Sequence, residues 1–145
     1  MRIPVLLLLT CTLAACDHAA FGPGAYDFSA SLPNGYFIHR TSAHQIEVAP
    51  QAWSSSTPII PAKVVEIDYN NTWVIAKQQH LRRRSPNNPQ DTYEDPDPGA
   101  FSYWILNTAK PQVWGPLSLQ QFTSTRNQLD VPATLTLHDV YDYRP

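Results

Sequence analysis

The sequence has no cysteine after position 16, and this absence limits the chemistry that most of the chain can perform. Its 145 residues include two cysteines, Cys11 and Cys16. Residues 17–145 therefore cannot form a disulfide among themselves or a cysteine-based metal site. The chain also lacks an excess of basic residues, because its formal net charge is −2. A mild acidic balance argues against nucleic acid as a partner.

A long apolar run is absent as well, although the first residues are strongly apolar. Arg2 is followed by leucine-rich sequence, and the small residues Ala14 and Ala15 precede Cys16. A transmembrane helix needs about 20 apolar residues, and this run is shorter. A single basic residue, a short apolar segment and small residues are the layout of a secretory signal peptide.

The last residues of this segment, Leu13-Ala14-Ala15-Cys16, are similar to the lipobox of bacterial lipoproteins. In that family Leu13, Ala14 and Ala15 are recognised by the lipoprotein signal peptidase. The resemblance implies that Cys16 receives a diacylglyceryl group on its sulfur and becomes the first residue of the mature chain. Two or more acyl chains give stable membrane anchoring. Asp17 matches a rule that retains lipoproteins on the inner membrane in some enteric bacteria.

This resemblance and the composition together predict three parts of the chain. Residues 1–15 are expected to be a lipoprotein signal peptide, and residues 16–25 a lipidated N-terminus with a flexible tether. The tether is predicted from its small residues, glycines and proline. Residues 26–145 are expected to form a single globular β-rich domain. The expected location is the cell envelope, on the periplasmic face or the cell surface.

The pattern of residues 26–145 predicts an α+β fold that is mainly an antiparallel sheet of about six or seven short strands. Apolar and polar residues alternate with the period of two that half-buried strands require. The Asn34-Gly35 pair predicts a tight turn, and Asn70-Asn71 predicts a hairpin. Seven predicted strands cover residues 26–32, 36–40, 44–48, 63–69, 72–77, 101–106 and 134–138, and residues 112–114 can pair with 101–106.

One C-terminal helix is predicted to pack on the sheet. Ser118 with Gln121 three residues later forms a capping-box pattern, and Leu117 can pack on Phe122 as a hydrophobic staple. Pro132 predicts that the helix ends at about residue 129.

Residues 80–100 are predicted to form a long exposed loop, because they contain four prolines, three consecutive arginines and several acidic residues. Long loops in compact domains are often functional. Arg82, Arg83 and Arg84 are candidates for partner contact, and solvation of the loop by its own charge pairs is the ordinary alternative. Trp53, in a Pro-rich loop, is a second candidate, because large aromatic residues are common interface anchors, and packing of its ring back onto the sheet is the alternative.

The sequence gives no catalytic, metal-binding or cofactor-binding motif. His39 and His44 lie five residues apart, but zinc-site spacing does not accompany them. His138 has no recognisable nucleophile motif beside it. Prolines interrupt the acidic residues that could bind calcium, which are Asp91, Glu94, Asp95 and Asp97. We therefore expect no catalytic residue, no metal and no cofactor.

The expected function is that of a non-enzymatic binding or structural module held on a membrane through Cys16, with an unknown protein or envelope component as its partner. Residues 103–106, 115–118 and Phe122 also resemble the C-terminal part of small uncharacterised bacterial lipoproteins. One alternative is an immunity or inhibitor lipoprotein that neutralises a toxin or a hydrolase. A second is an envelope hydrolase whose site is assembled from His39, His44, His138 and carboxylates.

Overall fold

The structure is a computed structural model, and it describes residues 26–145. Their eight strands form two antiparallel sheets, in the orders β1-β2-β3 and β7-β6-β5-β4-β8. The strands are β1 (Phe28–Ser31), β2 (Tyr36–Arg40), β3 (Ile46–Pro50), β4 (Val64–Tyr69), β5 (Trp73–Arg83), β6 (Glu94–Asn107), β7 (Gln112–Leu117) and β8 (His138–Asp139). A single α-helix, α1 (Leu119–Gln128), follows β7. The predicted α+β fold with one helix near the C-terminus is confirmed.

The main core lies between the two sheets. Ile38 and Val48 of the small sheet and Val74 and Leu106 of the large sheet are fully buried in one cluster. Alternating residues of each strand point to this layer because successive side chains of a strand lie on opposite faces. The two sheets are therefore packed face to face.

The helix covers the other face of the large sheet. Phe122 of α1 packs with Ile75 and Ile105 in a second buried cluster. The Ser118 hydroxyl accepts a hydrogen bond from the Gln121 N–H, and the Gln121 side chain accepts one from the Ser118 N–H. The predicted capping box is thus present. Leu117 also packs in the Phe122 cluster, as the staple requires.

Residues 80–100 are mostly strand, so the prediction of a long loop over this range is wrong. The hairpin of β5 and β6 continues to the pairs Leu81 with Pro96 and Arg83 with Glu94. Only residues 84–93 connect the two strands. The strand tolerates Pro96 because β7 pairs with β6 only from Tyr103 onward, so within residues 26–145 the edge of β6 opposite β5 has no partner strand at Pro96.

The C-terminal strand is shorter than predicted and begins later. Residues 134–138 were expected to be a strand, but β8 contains only His138–Asp139, paired with Ile67 and Glu66 of β4. The backbone N–H of Thr136 instead donates to the Asp68 carboxylate at 2.7 Å. Among residues 26–145, no helix has the length and apolar character needed to cross a membrane.

The strands give the domain two distinct ends. At one end, the Asn34 side chain donates to the Asn71 carbonyl and the Thr108 hydroxyl, each at 2.9 Å, which joins the turns of both sheets. At the other end, Nδ1 of His44, in the β2–β3 turn, lies 2.9 Å from the carbonyl oxygen of Glu94. The start of β1 also lies at this second end, because Phe28 pairs with Arg40 at the end of β2.

Candidate functional site

The lipobox lies outside the described residues, so the predicted roles of Cys16 and of Leu13, Ala14 and Ala15 stay predictions. The same is true of Asp17 and of the predicted tether at 16–25. The described part of the chain offers three surfaces with chemistry of interest.

The first surface is an aromatic row on the outer face of the small sheet, formed by Phe37, His39 and Trp53. The Phe37 and His39 rings have centroids 5.5 Å apart. The Trp53 ring stacks on His39 at 5.7 Å with an interplanar angle of 27°. Trp53 comes from the loop after β3 and remains 43% exposed. It therefore folds back onto the sheet and still presents one side to solvent.

Hydrogen bonds fix the central histidine of the aromatic row. The Ser29 hydroxyl lies 3.3 Å from Nδ1 of His39, and the Pro50 carbonyl oxygen lies 3.4 Å from Nε2. Since a carbonyl oxygen only accepts, the Nε2–H donates to Pro50, and the Ser29 hydroxyl is the hydrogen-bond partner of Nδ1. Both ring nitrogens are thus occupied, and the row is a preformed stacking surface.

The second surface is the far end of the long hairpin, residues 81–96, which we call the hairpin tip. Arg84 forms a bidentate ion pair with Asp91, with nitrogen to oxygen distances of 3.0 to 3.2 Å. Its guanidinium also stacks over the Tyr93 ring at 4.7 Å. Hydrogen bonds from the Ser85 hydroxyl, the Tyr93 backbone N–H and Arg84 lower the pKa of Asp91 from its usual value. The connecting residues are therefore organised around one carboxylate.

The other two arginines of the triplet differ from Arg84 in their surroundings. Arg82 and Arg83 are exposed, and they lie across the ladder from Asp95 and Glu94. Successive side chains of a strand point to opposite faces, so these two arginines flank the hairpin on both sides. Tyr93 beside them is 69% exposed, the largest exposure among the large hydrophobic residues of the described chain.

The third surface is a side groove of about 490 Å³, bounded by the inner faces of β5 and β6. Trp104 and Leu81 give it apolar walls, and Gln78 and His80 give it polar ones. The Gln78 side chain accepts from the Trp104 indole N–H at 2.7 Å and donates to the Ala62 carbonyl. Glu94 also lines the groove, which therefore combines apolar walls with polar and charged side chains.

A serine and a histidine meet beside this groove. Nε2 of His80 lies 2.6 Å from the hydroxyl oxygen of Ser102 on the neighbouring strand. This is the distance expected between a nucleophile and its general base. Ser102 is buried, however, and no carboxylate among residues 26–145 hydrogen-bonds His80 to orient it. The pair supplies two members of a hydrolytic site without the third.

Sequence reasoning did not find the His80–Ser102 pair. Ser102 lies directly across from Gln78, and a register shift between Gln79 and Leu81 brings His80 toward it. Pairing 80 with 102 would have required extending the hairpin beyond residue 77 and then predicting the bulge. The prolines of residues 80–100 predicted a loop instead of this extension of the two strands.

The three histidines considered for an assembled hydrolase do not share one site. His39 belongs to the aromatic row, and His44 contacts the Glu94 carbonyl oxygen. His138 instead contacts the Thr136 hydroxyl at 2.9 Å. Within 26–145, no three His, Cys, Asp or Glu side chains are grouped so that they could hold a metal ion.

Comparison with known proteins gives one relationship. No curated protein and no solved structure matches the chain. A family model with the description "Protein of unknown function (DUF3997)" matches residues 33–141, which run from the turn after β1 to the last residues of the domain. Because this match covers well over half of the sequence, the chain belongs to the DUF3997 family.

Proposed function

We propose that this chain is a membrane-anchored envelope lipoprotein whose β-rich domain is a non-enzymatic binding or structural module. The anchor would be the acylated Cys16, and Asp17 favours the inner membrane where the retention rule applies. The partner would be a protein or another envelope component. The aromatic row is the structural observation that supports a role in binding this partner.

The aromatic row suits partner binding for energetic reasons. Trp53 offers a large, rigid surface that loses little conformational entropy when it is covered. Its ring is already held by His39, so binding does not have to order it first. Aromatic residues of this kind dominate the binding energy of many interfaces.

Labelling with radioactive palmitate tests the anchor. The full chain should carry label and fractionate with membranes, and a Cys16→Ser variant should be neither labelled nor cleaved by the lipoprotein signal peptidase. An unlabelled wild-type chain would refute the lipoprotein proposal.

Site-specific photo-crosslinking in cells tests the aromatic row. A photoreactive amino acid at Ser54, beside Trp53, should give a discrete adduct that Trp53→Ala greatly reduces. The same probe at the exposed Gln120 of α1, which lies on the face of the large sheet away from the small sheet, is the control. Equal adducts at both positions would contradict a specific surface.

An immunity or inhibitor role is the alternative within the binding class. It predicts that the adduct partner is a toxin or a hydrolase, and that this enzyme loses activity when it is mixed with the protein. The aromatic row would serve this role as well, so the identity of the crosslinked partner separates the two proposals.

A hydrolase is the second candidate, and the His80–Ser102 contact favours it. In that case a fluorophosphonate probe would phosphonylate the Ser102 hydroxyl oxygen with loss of fluoride, and His80→Ala would abolish the labelling. Wild-type protein that stays unlabelled under conditions that label a known serine hydrolase would remove this candidate.

A further inference from the structure

The hairpin tip and the point where the chain enters the domain lie at the same end of the molecule. Tyr26 is the first described residue, and its carbonyl oxygen accepts a hydrogen bond of 2.6 Å from Arg40. The turn that follows Arg40 contacts the tip through His44 and Glu94. A pocket of about 270 Å³ between them is lined by residues of both, including Gln45 and Tyr93.

The geometry of the chain restricts which end of the domain can approach the anchor. Residues 17–25 separate Cys16 from Tyr26, and the ten Cα–Cα steps between these two residues span at most about 36 Å in a fully extended chain. The strand β6, Glu94–Asn107, extends from the tip to the far turns. At the usual rise per residue, its length is on the order of 40 Å. If the far turns rested on the membrane, Tyr26 would lie farther from the bilayer than the tether can span. The end of the domain that carries the tip therefore stays near the anchor point.

The chemistry of the hairpin tip suits a lipid headgroup layer. Tyr93 is 69% exposed, and tyrosine is enriched at membrane interfaces, where its ring meets both apolar and polar surroundings. Arg82 and Arg83 offer guanidinium groups to phosphate on both sides of the hairpin. The acidic residues Glu94 and Asp95 lie across from them, so the tip has no strong net charge.

We infer that the hairpin tip is the membrane-facing surface of the domain, with Tyr93, Arg82 and Arg83 among the phospholipid headgroups of the bilayer that holds Cys16. This inference rests on the lipoprotein function proposed above. A balanced tip would not hold a free protein on a membrane. Beside an acylated anchor, weak contacts of the tip are sufficient, because the anchor holds the protein on the membrane and the short tether gives the tip a high effective concentration at the surface.

Fluorescence quenching on vesicles tests this orientation. The lipidated full chain is reconstituted into vesicles of phosphatidylethanolamine and phosphatidylglycerol that contain a nitroxide on the headgroup. A fluorophore is attached to Asn87→Cys at the tip or to Lys110→Cys at the far turns. Each introduced thiol is the single free one, because Cys16 is acylated and Cys11 leaves with the signal peptide.

The expected result is several-fold stronger quenching at position 87 than at position 110. Changing Arg82 and Arg83 to Gln and Tyr93 to Ser should reduce the quenching at 87 while the protein still floats with the vesicles. Equal quenching at both positions, or stronger quenching at 110, overturns the inference and leaves the lipoprotein proposal intact. Protein that carries no acyl chains and does not float overturns both.

A chain of residues 17–145, which has neither the acylated Cys16 nor the apolar residues 1–15, is the second control. It should not float with the same vesicles, since the tip contacts are expected to act only beside the anchor. Stable flotation of this variant would contradict the proposed dependence on the tether.

Discussion

Gly115 is a residue at which backbone and packing both exclude any side chain. Its φ is 156°, and a Cβ built there would overlap the ring of Trp104. We expect Gly115→Ala to lower the free energy of unfolding by about 2 to 3 kcal/mol, as overpacking of a well-filled site does. Urea unfolding followed by tryptophan fluorescence measures this change.

Gly99 provides the matched control for this substitution. A Cβ at Gly99 would meet nothing within 4 Å. Gly99→Ala should therefore change the free energy of unfolding by no more than about 0.5 kcal/mol. Equal effects of the two substitutions would show that the contact between Gly115 and Trp104 is not as described.

Tyr143 gives the domain a pH dependence in the alkaline range. Burial and the nearby Asp68 carboxylate raise the pKa of Tyr143 from 10.0 to about 12. The folded state thus favours the neutral phenol more than the unfolded chain does. Its contribution to stability is complete below pH 10 and is lost as the pH rises through 12.

The Tyr143→Phe variant tests this dependence. Phenylalanine cannot ionise, so the free energy of unfolding of the variant should decline less steeply between pH 10 and pH 12 than that of the wild type. Denaturant unfolding at several pH values measures both slopes. Parallel slopes in the two proteins would contradict the role of Tyr143.

Among the elements, α1 depends on a local signal at its first residue. The reciprocal hydrogen bonds of Ser118 and Gln121 satisfy two backbone N–H groups at the helix start. We expect Ser118→Ala to cost about 1 kcal/mol of the free energy of unfolding. Ser124→Ala within the same helix is the control. The Ser124 hydroxyl donates to the Gln121 carbonyl oxygen of the preceding turn and does not cap the helix. It should leave stability unchanged or slightly raise it.

Elements with a complete local signal could be predicted from the sequence. The hairpin of residues 63–77 and the helix after Ser118 follow from alternation, turn residues and capping, and both are present. The extension of β5 and β6 could not be predicted from the sequence. Prolines normally exclude a strand, and a strand accepts them only where its edge is unpaired, which depends on the fold. Residues 134–138 alternate like a strand, but the Asp68 carboxylate takes the Thr136 N–H.

The surfaces were less predictable than the elements. Trp53 and the arginine triplet were identified from residue type alone. Charge pairs within the loop were considered, but neither the contact of Trp53 with His39 nor the specific Arg84–Asp91 pair was predicted. The stack of Trp53 on His39 joins a loop to an earlier strand, and the Arg84–Asp91 pair requires the extended hairpin. Contacts between distant positions depend on register, which residue type does not reveal.

For the whole molecule, Asn34 joins the two sheets at the end opposite the hairpin tip. Its backbone has a φ of 60°, which asparagine tolerates, and its amide donates to Asn71 and Thr108. Asn34→Asp keeps this backbone but places a carboxylate oxygen against the Asn71 carbonyl. We expect a loss of about 1 to 3 kcal/mol in the free energy of unfolding, measured by denaturant titration.

The same chemical change in the hairpin loop is the control for Asn34. The Asn88 side-chain oxygen accepts from the Gln90 N–H, and an aspartate at this position can accept the same bond. Asn88→Asp should therefore leave stability nearly unchanged. If both substitutions have the same effect, the amide of Asn34 does not join the sheets.

Arg40 contacts both the first and the last residues of the described chain. Its guanidinium donates to the Tyr26 carbonyl and to Asp27, and it lies over the Tyr141 ring at 5.7 Å. A pulling force that enters through residue 26 therefore reaches Arg40 before it reaches the β1–β2 ladder. The contacts of Arg40 therefore resist the separation of β1, a four-residue edge strand, from β2 when force is applied at residue 26.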